Sequence, residues 1–274
     1  MNVEDRVWFV TGASRGLGRA FVEAALSAGD RVVGVARDVG PLADLVAEHD
    51  GNLVVFPLDV TDRAAVFAGV DRAVETFGRL DVVVGNAGSM LFGMVEEITE
   101  EQARAHLDVN FFGALWLGQA VVPHLRRQGS GHLVQVSSTG SGGGFSAVGL
   151  YAAGKSALDA MTEALAMEVE RFGVRVTILQ PGSYDTELFT TGTTATEPDE
   201  VYAPLRAELD ELWGGGAKDP SPELAARVLL ELVDLPDPPR RLIVGSASYD
   251  QVREQLQHRV AEYGRWEDLS RRGG

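Results

Sequence analysis

Apolar runs and helical patterns alternate along this chain almost to its end. The runs Val7–Val10, Arg31–Val35, Leu53–Leu58, Asp81–Val84, His132–Val136, Val174–Leu179 and Leu242–Val244 are nearly continuous in Val, Ile and Leu. Such runs fit strands covered on both faces rather than on one. Between them lie the helical stretches Leu17–Ser27, Pro41–Glu48, Asp62–Thr76, Glu100–Arg127, Tyr151–Arg171 and Pro222–Val233. The alternation predicts a doubly wound α/β fold: a parallel sheet with right-handed crossovers in a three-layer α/β/α arrangement. No repeat or linker divides the chain, so one domain over residues 1–274 is expected. It reads as a core over 1–182, an insertion over 183–219, and a last helix, last strand and C-terminal extension over 220–274.

Two segments break the rhythm. Ser137–Gly149 is rich in Gly and Ser, and Ser183–Asp219 is long and irregular. Both follow strands, on the carboxyl edge where open α/β sheets bind ligands. The second is expected to act as a mobile lid, because its centre, Thr190–Pro198, is polar and has little to bury. Met90, Leu91, Phe92 and Met94, then Phe145, Val148 and Leu150, then Tyr184, Leu188 and Phe189 either converge on an apolar pocket or pack beneath that lid.

Charge narrows the function classes. With 40 acidic against 24 basic residues the formal charge is −16, opposite to what phosphate-tracking nucleic-acid binders or anionic membrane surfaces require. There is no cysteine, hence no disulfide, thiol nucleophile or thiolate metal ligand, and the five histidines lack metal-ligand spacing. No apolar stretch is long enough to span a membrane, and the acidic opening Met1–Asp5 is not read as a signal peptide, so a cytoplasmic location is expected. Only two of the 24 basic residues are lysine, Lys155 and Lys218.

Three constellations carry chemistry. Thr11-Gly12-Ala13-Ser14-Arg15-Gly16-Leu17-Gly18 joins the first strand to the first helix, where small residues let backbone N–H groups and a helix N-terminus approach a pyrophosphate. The second strand ends Ala36-Arg37-Asp38. Arg15 and Arg37 could clasp a ribose 2′-phosphate, which favours NADP(H); Asp38, or two merely solvated arginines, would favour NAD(H). Finally, Tyr151 and Lys155 stand four residues apart on one helical face. An ammonium beside a phenol favours phenolate, lowering the tyrosine pKa toward the working range of a general acid/base. The alternative is a Tyr and a Lys on a solvated face, but with five Tyr and two Lys only about 0.04 such pairs arise by chance.

With these residues the chain resembles the classical short-chain dehydrogenase/reductase family. The resemblance rests on Thr11–Gly18, Leu58-Asp59-Val60, Asn86-Ala87-Gly88, Asn110, Ser138, Tyr151 with Lys155, and Pro181-Gly182 with Thr186, in family order up to about residue 190. It implies a Rossmann-type fold with a seven-stranded sheet. Catalysis would fall to Ser138, Tyr151, Lys155 and Asn110. Ser138 would orient the substrate oxygen and Tyr151 would protonate it. Lys155 would hold the ribose and tune the phenol, and Asn110 would anchor a relay water. Gly12, Ser14, Arg15, Gly16, Leu17, Gly18, Arg37, Asp59, Val60, Asn86, Ala87, Gly88, Tyr151, Lys155, Pro181, Gly182 and Thr186 would bind the cofactor, with Asp59 on the adenine and Asn86 steadying the central strand. Ser137 rivals Ser138, whose spacing of 13 residues before Tyr151 suits the family better.

Two positions depart from the family pattern: Gly85 where a second Asn is usual, and Gly154 where Ser is common. The first loses an amide; the second reads as close packing against another helix. His106 and Trp116 read as packing or interface residues. The expected activity is an NADP(H)-dependent ketoreductase or alcohol dehydrogenase for a hydrophobic or aromatic small molecule, in a homodimer or homotetramer. The alternatives are a net-neutral epimerase or dehydratase on the same fold, and a cofactor-binding regulator.

Overall fold

A computed structural model describes residues 5–214 and 218–274. The opening residues Met1–Glu4 and part of the Gly214–Gly216 run lie outside the described residues. Among the described residues nine strands follow in chain order: β1 (Val7–Thr11), β2 (Arg31–Ala36), β3 (Leu53–Pro57), β4 (Val82–Gly85), β5 (Met90–Phe92), β6 (Gly131–Val136), β7 (Val174–Pro181), β8 (Thr193–Ala195) and β9 (Arg241–Val244). The helices are α1 (Gly16–Ser27), α2 (Ala43–Glu48), α3 (Arg63–Phe77), α4 (Glu100–Leu107), α5 (Gly113–Gln128), α6 (Gly149–Val169), α7 (Ala203–Gly214), α8 (Pro222–Asp234), α9 (Ser246–Arg265) and α10 (Glu267–Ser270).

Seven strands form one parallel sheet in the order β3-β2-β1-β4-β6-β7-β9. The continuous apolar runs are explained by period-two alternation with both faces covered. Trp8 and Val10 meet α1, α2 and α8 on one face, while Val7 and Phe9 meet α3, α5 and α6 on the other. The direction of winding reverses between β1 and β4, so their carboxyl ends open a crevice where such sheets take ligands.

Three elements differ from the sequence expectation. The stretch Glu100–Arg127 is two helices joined by a π-helical turn over Asp108–Phe112. One extra residue in that turn lets Asn110 aim its carboxamide at Ser89, where hydrogen bonds compensate the wider backbone.

The segment Ser183–Asp219 is folded rather than irregular. Residues Thr193–Ala195 form β8, which pairs in parallel with β5, and Ala203–Gly214 form α7. Its polar centre does have something to bury. Thr196 donates to Glu97 Oε2 at 2.7 Å, Arg206 reaches the same oxygen at 2.5 Å, and the Asp199 N–H takes Oε1 at 2.9 Å. The Arg206 guanidinium, with these N–H and O–H donors, holds the Glu97 carboxyl down at about 2. On the apolar side Leu205 and Leu209 pack with Phe92, Met94 and Ala147, and Trp213 meets Phe92 edge-on at 5.5 Å.

The C-terminal extension is helical, over α9 and α10. None of its residues is buried, so it has no core-facing stripe from which the sequence could have announced it.

Candidate active site

The glycine loop leaves β1 and turns at once into α1. Gly12 and Gly16 have φ of 64° and 52°, where a side chain is strained. A Cβ at Gly18 would collide with the Gly12 carbonyl, so only glycine lets helix and strand approach this closely. Arg15 occupies the N-cap of α1 in extended conformation, no side chain caps the helix, and no acid stands in its first turn. That leaves a positive helix end with free N–H groups at the switch point, the donor set a pyrophosphate needs. Ser14 and Leu17 are half-buried beside it, Leu17 against the core.

The end of β4 is stitched to this loop. Asn86 Nδ2 donates to the carbonyls of Thr11 and Gly12 at 3.1 and 3.3 Å, and the N–H groups of Asn86 and Ala87 both donate to Thr11 Oγ1 at 3.0 Å. Thr11 therefore sets the loop geometry, through a hydroxyl that its place in the motif alone does not reveal. At Gly85 the absent side chain is replaced from the neighbouring strand. The Gln135 carboxamide fills the space a Cβ would take and donates to the Ala114 carbonyl at 3.1 Å.

Around the crevice, Asp59 and Val60 follow β3. Asp59 Oδ1 accepts from the Thr61 N–H and hydroxyl at 2.9 and 2.8 Å, and Val60 packs at Gly113. Arg37 is exposed at the end of β2, and Asp38 is tied into a turn by the Gly40 N–H at 2.9 Å. Arg15 is not joined to Arg37; its Nη1 donates to Thr191 Oγ1 at 2.6 Å. Pro181 closes β7, Gly182 lies tight against Ser248 at the start of α9, and Thr186 rests on Gly16. Gly88 is an exposed rim beside Asn110 and Lys155.

Ser138, Tyr151, Lys155 and Asn110 come together at this edge. Ser138 Oγ accepts from the Gly140 N–H at 3.0 Å, and its hydroxyl favours ionisation of the Tyr151 phenol. The hydroxyl of Ser137 is buried without a partner and takes no part in that contact. Lys155 is buried, and its Nζ donates to the Val136 carbonyl at 2.9 Å, 6.0 Å from the centre of the Tyr151 ring. Asn110 pairs with Ser89 in both directions: its Nδ2 donates to the Ser89 carbonyl at 3.1 Å, and its Oδ1 accepts from the Ser89 N–H at 3.3 Å.

The electrostatics correct one expectation. Burial pushes the Tyr151 phenol up rather than down, with the Ser138 hydrogen bond opposing. Lys155 does not offset this, because its ammonium is turned to a backbone carbonyl and is itself lowered to about 8 by burial. The phenol is thus held as a proton donor. His106 is part of the niche: it lies under the Asn110 carboxamide and edge-on to Tyr151 at 6.1 Å. Burial, then the Lys155 charge, lowers it to about 4, so it stays neutral. Its place four residues before Asn110 is the sequence signal for this contact. Trp116 stacks on Phe112 at 5.8 Å, away from these groups.

Gly154 is not a forced glycine. A Cβ there would sit 3.6 Å from Asn110, 3.7 Å from Leu107 and 3.9 Å from His106, all ordinary contacts. Gly154→Ala is therefore expected to stabilise the protein by about 1 kcal/mol through helix propensity, raising Tm by ~2–4 °C. Thermal unfolding checks this; a lower Tm would mean the methyl displaces Asn110.

Comparison with known proteins agrees with this fold. The family model for short chain dehydrogenases matches residues 6–197. The chain is 36% identical to oxidoreductase BOA17 of Botryotinia fuckeliana over 269 residues, covering 97% of this chain and 98% of that one. Its fold superposes on a short-chain dehydrogenase from Streptomyces avermitilis with a TM-score of 0.91 at 37% identity, covering 99% and 100% of the two chains. An alcohol dehydrogenase from the archaeon Thermococcus sibiricus, complexed with 5-hydroxy-NADP, gives 0.73 at 29% identity over 88% and 96%. Among the described residues no helix is long and apolar enough to cross a membrane, and no group of three or more His, Asp or Glu could hold a metal ion. Motif order, sheet topology and these likenesses make the chain a member of the short-chain dehydrogenase family.

Proposed function

We propose that the protein is an NADP(H)-dependent oxidoreductase that interconverts a ketone or aldehyde with the corresponding alcohol. The observation that carries this reading is the grouping of Ser138, the buried Tyr151 and Lys155, and Asn110 beside an uncapped helix N-terminus. The residues present fit a nicotinamide dinucleotide. Gly12, Gly16 and Gly18 let the loop turn tightly and pack against Ala87, Thr186 and the Gly12 carbonyl, which brings the uncapped start of α1 to the end of β1 where a pyrophosphate would sit. When bound, that group supplies or accepts the hydride. Ser138 holds the substrate oxygen, and Tyr151 gives its phenolic proton to that oxygen as the carbonyl is reduced. Lys155 presents a compact ammonium to ribose hydroxyls from a buried position, while Asn110 fixes the π turn and the backbone at Ser89.

The apolar packing of Phe92, Met94, Ala147, Leu205 and Leu209 supports a hydrophobic or aromatic substrate, since Ala147 belongs to the loop joining Ser138 to Tyr151. A homo-oligomer is part of the proposal, supported by the exposed Phe112 in the π turn and Met167 on α6. Apolar ketones and alcohols assayed by nicotinamide absorbance test the activity. NADPH-dependent turnover of at least one of them is expected. Cofactor binding with no turnover of any would assign the site to a regulator or a net-neutral reaction instead.

A further inference from the structure

Behind the reacting side chains lies a buried polar network that the reaction above does not use. Asp159 stands one helical turn after Lys155 on α6, only 6% exposed. Its Oδ2 accepts from Gln180 Nε2 at 3.0 Å and from Arg241 Nη1 at 2.5 Å. Gln180, on β7, also donates to Ser141 Oγ at 2.8 Å. Ser141 sits in the loop that carries Ser138, and all its polar groups are engaged. Its N–H donates to the Ser138 carbonyl at 3.1 Å, and its own carbonyl accepts from the Ser156 hydroxyl on α6. Arg241, on the edge strand β9, is half-exposed and pairs as well with Glu163 at 2.6 Å.

A carboxylate between a helix and a sheet is costly to desolvate, and apolar side chains would fill that interface more cheaply. A carboxylate placed there therefore points to a positional or electrostatic task. We propose that Asp159 is a positioning residue of this active site: through Gln180 and Ser141 it fixes the loop bearing Ser138, and its charge, balanced by Arg241, steadies the Lys155 ammonium. The geometric half stands on its own contacts; the chemical half rests on the reductase reading. The groups facing Lys155 are Tyr151 and Asp159 on α6, neutral His106 on α4, neutral Asn110 and the Val136 carbonyl on β6. Burial lowers Lys155 to about 8 and Asp159 raises it. Removing the Asp159 charge must then lower Lys155 further, and freeing that charge from the Arg241 cation that offsets it should act in the opposite sense.

The test follows kcat against pH, the pH dependence of NADPH affinity, and amide exchange of residues 137–143 in the cofactor-free protein. Asp159→Asn is expected to move the alkaline limb of both pH profiles down by about one pH unit. Arg241→Met, which leaves the buried Asp159 carboxylate without its cation, should move it up. Gln180→Leu should leave the limb in place, lower kcat about tenfold with KM nearly unchanged, and speed exchange at Ser141 and Gly143. Superimposable pH limbs in all variants, with loop exchange rising only as global stability falls, would make the network merely structural and overturn the proposal. If the wild-type protein turns over no carbonyl compound, the reductase reading fails. Loop exchange then still decides the geometric half, and unaltered exchange in Gln180→Leu overturns it.

Discussion

Tyr151→Phe is expected to lower turnover by about 10²–10⁴-fold while NADPH affinity stays within about twofold of the wild type. In the proposed reaction the phenol is the group whose proton goes to the substrate oxygen. Burial holds it protonated, and the Ser138 hydroxyl is its partner rather than its replacement. Phenylalanine keeps the ring that packs edge-on to His106, so the loss is chemical and not structural. The wild-type profile for reduction should fall on the alkaline side as Lys155, lowered to about 8, loses its charge. Steady-state kinetics with a cofactor titration separates the effects. A phenylalanine variant with wild-type turnover would remove Tyr151 from the chemistry, and a parallel loss of cofactor affinity would mean that the ring position had moved.

The sheet was legible because its inner strands are buried on both faces and so wrote themselves as unbroken apolar runs. The spacing of Ser138, Tyr151 and Lys155 was legible because glycine loop, strand end and helix face are local features of the chain. What stayed hidden depends on contacts far apart in sequence. The π turn at Asn110 needs Ser89, 21 residues earlier, to justify its extra residue. The fold of the segment after β7 needs Glu97, an acid about a hundred residues before Thr196 and Arg206 that looks like any surface glutamate. Likewise the missing amide at Gly85 is made good by Gln135 from the neighbouring strand. The upward shift of Tyr151 was misread for a related reason: the sequence puts an ammonium near the phenol, but only the fold reveals how completely both are buried.

Arg37→Asp is expected to reverse the cofactor preference, weakening NADPH at least tenfold and strengthening NADH. The protein carries a formal charge of −16, so a multiply charged anion approaches against the overall field and depends on local cations. Arg37 stands free and exposed at the end of β2, and Arg15 stands in the glycine loop. The acid that would compete for a free ribose hydroxyl, Asp38, already accepts the Gly40 N–H. A charge-assisted contact to a 2′-phosphate contributes ~1.5–3 kcal/mol, which is about ten- to a hundredfold in affinity before any repulsion from the new carboxylate. The same carboxylate can accept from the 2′-hydroxyl of NADH. Arg15 must release Thr191 to reach the phosphate, so NADPH binding should also loosen the segment around residue 191. Affinities measured at several salt concentrations make the test specific. NADPH binding to the wild type should weaken as ionic strength rises, and the variant should lose much of that dependence. Equal use of NADH and NADPH by the wild type would mean that Arg37 is only a solvated side chain and that Asp38 leaves its turn to hold the ribose.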